Sequence, residues 1–352
     1  MAALYLRKPG DVQIIQRPIP RPGPEQILVR VECAGVCGSD VHLLHTHQCK
    51  ATILGHEFAG VVVQVGENVE RFQPGQRVCA MPTMGCGHCN HCASGDPKYC
   101  PHVQAIGLSM PDNGGFAEYV LVGQHETFLV PDGVDMELAA MVEPLAVGLK
   151  QAQLAGCTPG QKMLILGAGP IGLATAVWAR ALGVGQVLVS DPVASRRALA
   201  QSLGATAVVD PGKETLEVHC ERHWGGRPDV VIECIGKPGS IDMGTAILKP
   251  YGRLVVAGVH MEAEQVSRLL PFTKELQLIY SRMYEKPHYQ HTLEMLAQRR
   301  IDPRPMVTHR LGLHELPDAL HTMSRPNTFG KVMVDPRQVQ TTRQGTAASN
   351  HH

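Results

Sequence analysis

The sequence predicts an α/β protein in which a doubly wound parallel sheet is joined to a second, β-rich unit. Three observations predict it. The chain has 352 residues, more than one hydrophobic core ordinarily organises. Up to about residue 146, short apolar runs (Ile27 to Val31, Val61 to Val65, Tyr119 to Val122) alternate with Gly and Pro turns such as RPIPRPGPEQ. That is the pattern of a partly closed antiparallel barrel. From Lys162 onward, buried strands alternate with helices, which predicts a parallel sheet covered on both faces.

The first unit opens with MAALYLRKPGDVQII, a strand rather than a basic region followed by an apolar core and a cleavage site. No apolar run reaches the length needed to cross a bilayer. The expected location is the cytoplasm. Lys plus Arg and Asp plus Glu number 32 each, which argues against nucleic acid or an anionic membrane as partner.

Between Gly35 and Glu57 lies GVCGSDVHLLHTHQCKATILGHE. It offers Cys37, His42, His56 and Glu57. Thiolate, imidazole and carboxylate are ligand types that zinc takes, and a catalytic zinc uses three and keeps a position open. The run GHEFAGVVVQVG places a turn bearing His56 and Glu57 ahead of an apolar strand. Further on come Cys86, Cys89, Cys92 and then Cys100. Four Cys within fifteen residues, of eleven in the chain, can close a tetrahedron around one zinc. With no open position, such a site is structural. His88 and His91 are rival donors. Glu143, in MVEPLAVGLK, reads by itself as a carboxylate at a helix N-terminus.

The second unit begins with the strand Lys162 to Leu166. The loop Gly167-Ala-Gly169-Pro170-Ile171-Gly172 follows, then the helix LATAVWARALG, then a strand from Gln186 to Ser190 ending at Asp191. A strand before, a helix after and an acid nineteen residues beyond Gly172 make the dinucleotide-binding context. Gly167 permits the turn. Gly169 admits the pyrophosphate at the helix N-terminus. Gly172 lets the helix pack on the strand. Asp191 accepts from the ribose hydroxyls and repels a 2′-phosphate, which favours NAD over NADP. Arg196 and Arg197 are either solvated helix charges or a weak phosphate site. Strands follow in DVVIECIG and RLVVAGVH, the latter ending near Val259.

The stretch GHEFAGVVVQVG, the Cys-rich lobe, VEPLAVG and the glycine loop together resemble the zinc-containing alcohol dehydrogenases of the medium-chain dehydrogenase/reductase superfamily, in the sorbitol and polyol dehydrogenase branch. SRMYEK, PHYQHTLEMLAQRR and VTHRLGLHELPDALHTM resemble its C-terminal part, so the likeness covers about residues 1 to 335. It implies a GroES-like catalytic domain at 1–146 and 282–340, with a structural zinc lobe near 84–102, and a Rossmann NAD-binding domain at 147–281. Residues 341–352 are expected to form a disordered tail.

The resemblance further implies a catalytic zinc on Cys37, His56 and Glu57, with Glu143 as a fourth acidic group, and a second zinc on the four Cys. It implies hydride transfer from a secondary alcohol to NAD, giving a ketone. Ser39 and His42 become a proton relay. Asp40 orients His56, Val259 lies near the nicotinamide, and Arg282 contacts substrate or cofactor or joins an inter-domain salt bridge. A homo-oligomer is expected, a tetramer before a dimer. Leu43 and Leu44 stand where polyol-oxidising relatives usually carry aromatics, and His56 follows Cys37 by only nineteen positions. Both features point to an open, less polar pocket for a less hydroxylated, cyclic secondary alcohol. The competing readings are a metal-free enoyl or quinone reductase and a non-catalytic NAD-binding protein.

Overall fold

The computed structural model describes residues 1–46, 51–325 and 327–339. The expected tail at 341–352 lies outside them, as does His47.

The β-rich part is built around the strand Gln26–Gly35, at ten residues the longest among the described residues. It pairs antiparallel with Glu57–Val65, placing Gly35 opposite Glu57. Two register shifts bend this pair, as bulges do in closing barrels. Gly60 is required by the close approach, because a Cβ there would stand 2.0 Å from the Arg30 carbonyl oxygen. The sheet runs from Thr127–Leu129 through Arg77–Ala80, Glu57–Val65, Gln26–Gly35 and Lys331–Asp335 to Val307–Gly312, with Tyr119–Gly123 also on Gln26–Gly35. The last two strands therefore come from the C-terminal part of the chain. Leu4, Val29, Phe58, Phe116 and Val332 fill the interior beneath them.

The second sheet has six parallel strands in the order Ala207–Val209, Gln186–Ser190, Lys162–Leu166, Val230–Glu233, Arg253–Val256, Gln277–Tyr280. Alternate residues of one strand enter different cores: Met163 and Ile165 join one cluster, Leu164 and Leu166 the other. Both faces are thus covered, and the inner strands read as near-continuous apolar runs. The strand order reverses between Lys162–Leu166 and Val230–Glu233, where open α/β sheets bind ligands at their carboxyl ends.

The helix Val142–Ala155 joins the two parts. It packs on the helices Pro170–Ala181 and Lys286–Ala297. Gly148 allows the first approach, since a Cβ there would meet the Ala174 carbonyl carbon at 2.7 Å. Position 146/147 thus falls inside one unbroken helix, because VEPLAVGLKQAQLA buries residues along its whole length. The strand Arg253–Val256 ends earlier than the run RLVVAGVH implies. The amides of Ala257 and Gly258 both turn back to the Glu233 carbonyl, so Val259 lies in the following loop, 59% exposed.

Candidate active site and metal centres

Cys37 caps the short helix Gly38–Leu43, directly after the central strand. Asp40 reaches back and accepts the Cys37 amide hydrogen at 2.9 Å. Gly55, at φ +96°, turns the chain so that His56 enters the interior ahead of Glu57. A side chain at Gly55 would strike Phe116. His56 Nδ1 lies 3.4 Å from Asp40 Oδ1, and His56 Nε2 lies 3.3 Å from Ser39 Oγ. The ligand atoms of Cys37, His56 and Glu57 all stand within 4.8 Å of one another.

Charge at this cluster favours a cation. Burial by itself pulls the His56 pKa down, but Asp40 and Cys37 outweigh it and hold the imidazole well above its ordinary range. The surroundings that favour a proton on this ring also favour a metal ion. Glu57 is completely buried and ion-paired with the equally buried Lys331. Its Oε2 takes the lysine, and its Oε1 has no hydrogen-bond partner among the described residues. A buried carboxylate oxygen without a donor is costly, and a cation would satisfy it. Glu143, in the first turn of Val142–Ala155, is buried beside this set but outside the 4.8 Å group. Burial, partly offset by His56, pushes its carboxyl up to about 7. Thiolate, imidazole and carboxylate fit a zinc site that keeps a position open.

The other cluster joins Cys86, Cys89, Cys92 and Cys100, their sulfurs within 4.8 Å of one another. The Cys86 and His102 amides each donate to Cys100 Sγ at 3.3 Å. A backbone hydrogen bond from His88 draws the Cys86 thiol down to about 6, while burial drives Cys92 up to about 12. Four packed thiols resist ionising together unless a cation joins them, so the set fits a closed tetrahedral zinc. His88 turns its ring to the Cys86 carbonyl and His91 lies against Tyr99. Neither is in the four-residue set.

The glycine loop joins the strand Lys162–Leu166 to the helix Pro170–Ala181. Gly167 has φ +96°. Gly169 caps the helix Pro170–Ala181, with Pro170 and Ile171 in its first turn, and faces open space. A Cβ on Gly172 would fall 1.9 Å from the Gly167 oxygen. Asp191 is 4% exposed. Its two oxygens accept from the amides of Ala168, at 2.9 Å, and Val193, at 2.8 Å, and each keeps a further lone pair for a hydroxyl.

Three residues stand differently from their sequence reading: Arg196, Arg197 and Leu44. Arg196 is half-buried, and its guanidinium is engaged by the Phe329 carbonyl and Asn327 Oδ1 instead of standing free for phosphate. Arg197 is turned to the Asp191 carbonyl and Asp210. Arg282 forms no salt bridge among the described residues and lies exposed, 6.0 Å from the Tyr99 ring centre. Leu44 does not line a pocket, because the turn ending the helix Gly38–Leu43 carries it into the apolar interior, where it is 0% exposed. Leu43 is half-buried and His42 exposed. Partial burial of the ring, then His45, hold the His42 pKa below its ordinary value. A cleft of about 430 Å³ lined by Gln161, Asp229, Lys249 and Arg253 lies at the amino ends of the parallel strands, the opposite end from the glycine loop.

Known proteins similar to this chain share both halves. Residues 23–132 match the alcohol dehydrogenase GroES-like domain, and residues 170–298 match the zinc-binding dehydrogenase family. Sorbitol dehydrogenase of Ovis aries is 34% identical over 94% of this chain and 95% of its own length. The chain belongs to the zinc-containing medium-chain dehydrogenase/reductase superfamily, in its polyol branch. Two solved structures are similar over nearly the whole chain. A zinc-binding dehydrogenase from Sinorhizobium meliloti 1021, bound to NADP, is 35% identical with a TM-score of 0.85, covering 95% of this chain and 99% of that one. An alcohol dehydrogenase from Escherichia coli CFT073, complexed with NADH, is 29% identical with a TM-score of 0.88 over 95% and 99%. The architecture is accordingly a GroES-like domain with a Rossmann sheet. Among the described residues no helix is long and apolar enough to cross a membrane.

Lys331, Tyr284 and Glu233 were missed by sequence reasoning. Glu233, 1% exposed, accepts from the amides of Ile235 and Gly236 and so shapes the loop at the carboxyl end of its strand. No motif marks any of the three.

Proposed function

We propose that this chain oxidises a secondary alcohol, a polyol or a cyclic alcohol, to a ketone with NAD, and runs the reverse reduction. The observation that carries the reading is the convergence of Cys37, His56 and Glu57 within 4.8 Å, with Ser39 against His56 Nε2. A metal-free reductase has no use for such a donor set. Zinc held there supplies Lewis acidity toward the alcohol oxygen, and NAD held on the glycine loop supplies the hydride acceptor. Asp40, whose Oδ1 lies 3.4 Å from His56 Nδ1, would orient the ring so that Nε2 could serve a metal. Ser39 takes the alcohol proton, and His42, at the solvent side, passes it to water. Val259 borders the nicotinamide. The catalytic unit comprises residues 1–146 and 282–340, and the cofactor unit 147–281. Two zinc ions per chain, a cytoplasmic location and a homotetramer complete the reading. The free edge of Gln277–Tyr280, with Phe272 81% and Tyr280 70% exposed, supports self-association. A panel of polyols and cyclic secondary alcohols, followed by NAD reduction with zinc analysis, tests the proposal. Metal-loaded protein that oxidises none of them would sink it.

Asp191 sets cofactor choice in this reading. Asp191→Ala removes the acceptor for the ribose hydroxyls and the charge that repels a 2′-phosphate. NAD should bind more weakly and its advantage over NADP should narrow, read as kcat/KM for each cofactor. A wild-type preference for NADP would reverse the assignment.

The relay makes a graded prediction. Ser39→Ala should lower turnover within the ~10²–10⁴-fold range of general acid–base groups, and His42→Ala by ~10²-fold or less, because water replaces an exposed outer group. Added imidazole should restore part of the His42→Ala loss and little of the Ser39→Ala loss. His42 must be neutral to accept a proton, and its pKa is lowered. The wild-type oxidation rate should therefore rise through a limb below pH 6.5, which His42→Ala abolishes. Wild-type rates in both variants would remove the relay.

A further inference from the structure

A buried carboxylate ends the strand Val230–Glu233, at the point where the order of the parallel sheet reverses. Glu233 is 1% exposed. Burying a carboxylate is costly unless donors satisfy it, and here backbone amides do so. Glu233 Oε1 accepts from Ile235, at 2.7 Å, and Gly236, at 2.8 Å. Its own carbonyl accepts from the amides of Ala257 and Gly258, at 2.9 Å each. One residue therefore fastens two loops, which follow the neighbouring strands Val230–Glu233 and Arg253–Val256.

The two loops are in close contact. Gly236 has φ +64°, and a Cβ there would stand 2.7 Å from the Val259 oxygen. A Cβ on Gly258 would fall 2.2 Å from the Gly236 nitrogen and 2.6 Å from Glu233 Oε2. A shift of Gly236 is thus passed to Val259. On its other side the first loop borders the glycine loop. The Cys234 amide donates to the Leu166 carbonyl at 2.9 Å, and a Cβ on Gly167 would meet the Cys234 oxygen at 3.3 Å.

A dinucleotide crosses the crevice of such a sheet with one half on each side of the reversal. Asp191 follows Gln186–Ser190, on one side of Lys162–Leu166, and Glu233 ends the strand on the other. With the adenosine ribose at Asp191, the nicotinamide half falls to the loops that Glu233 fastens. We propose that Glu233 is a positioning residue for that half, holding Gly236 and Val259 at the separation it requires. This rests on the NAD reading above. Without the carboxylate, the Ile235 and Gly236 amides lose their acceptor and the turn opens toward Val259. Asp191 keeps its bonds to the Ala168 and Val193 amides, so the adenosine side stays as it was.

The test is calorimetric titration of the zinc-loaded, full-length protein with NAD and with ADP-ribose, which lacks the nicotinamide ring. Glu233→Ala should weaken NAD by about tenfold, the order of one hydrogen bond to a charged group, and leave ADP-ribose unchanged. Glu233→Gln, which offers the two amides an oxygen of the same reach, should restore most of the NAD affinity. Gly236→Ala, which drives a methyl group against Val259, should reproduce the selective loss, and it decides alone if Glu233→Ala does not accumulate. Equal weakening of both ligands, wild-type NAD affinity in Glu233→Ala, or no rescue by Glu233→Gln would overturn the proposal. Wild-type protein that binds NAD but oxidises no alcohol would sink the dehydrogenase reading and leave this one standing. Wild-type protein that binds neither ligand would overturn both.

Discussion

His56→Ala should abolish turnover and leave one zinc per chain with the fold intact, while Cys89→Ser should fail at folding before its chemistry can be measured. The asymmetry follows from how each site is built. His56 contributes one donor to a set that keeps a position open, and its surroundings do not depend on it. Gly55 makes the turn through its own φ of +96°, Asp40 keeps its bond to the Cys37 amide, and Glu57 keeps Lys331. The loss in rate should therefore exceed the ~10–100-fold that outer partners are worth, with the thermal midpoint little changed. The cysteine lobe has scant apolar interior of its own. Its short helix Asn90–Ala93 buries no residue. The metal is then the lobe's core, and structural zinc is worth about 10–16 kcal/mol in zinc-finger peptides. Removing one thiolate opens the tetrahedron and releases residues 86–100 from the rest of the chain. Zinc analysis, circular dichroism and soluble yield of the two variants check both halves. At most one zinc in fully loaded wild type would overturn the two-site assignment.

What the sequence discloses and conceals follows from physics. Ligand types at short spacing are visible, because Cys86, Cys89 and Cys92 must be close in space if they are close in the chain. The glycine loop is visible for the same reason: Gly167 and Gly172 meet within one turn, and the steric demand is local. Lys331 is invisible. It lies 274 residues from Glu57, and a lysine in a β-run is ordinarily read as pointing its ammonium to water. Arg196 was open between two roles and took a third, since Asn327 and Phe329 approach it only through tertiary packing. Leu44 looked like pocket lining because apolar residues beside a metal ligand invite that reading. The turn after Leu43 sends it into the core, where Gly10 donates to its carbonyl.

Lys331→Met should be among the most destabilising single substitutions in the β-rich part, at about 3–5 kcal/mol. Lys331 is 0% exposed, as is Glu57. Its ammonium pairs with Glu57 and donates to the Val36 carbonyl at 2.9 Å. Methionine matches the stem but leaves the buried carboxylate without the ammonium that pairs with it. That residual charge, more than the lost attraction, sets the size of the effect. Gly35 completes the site, because a Cβ there would stand 2.2 Å from Glu57 Oε2 and 2.8 Å from Lys331 Cε. Gly35→Ala should thus destabilise by the same route, pushing the pair apart. Pairing Lys331→Met with Glu57→Gln should recover most of the stability, since a neutral amide needs no ammonium, but it should not recover metal at the catalytic site. Urea unfolding of the metal-free and zinc-loaded forms of each variant measures the effect. A Lys331→Met protein within about 1 kcal/mol of wild type, no more than an exposed ion pair is worth, would show that the bridge to Glu57 does not hold this centre together.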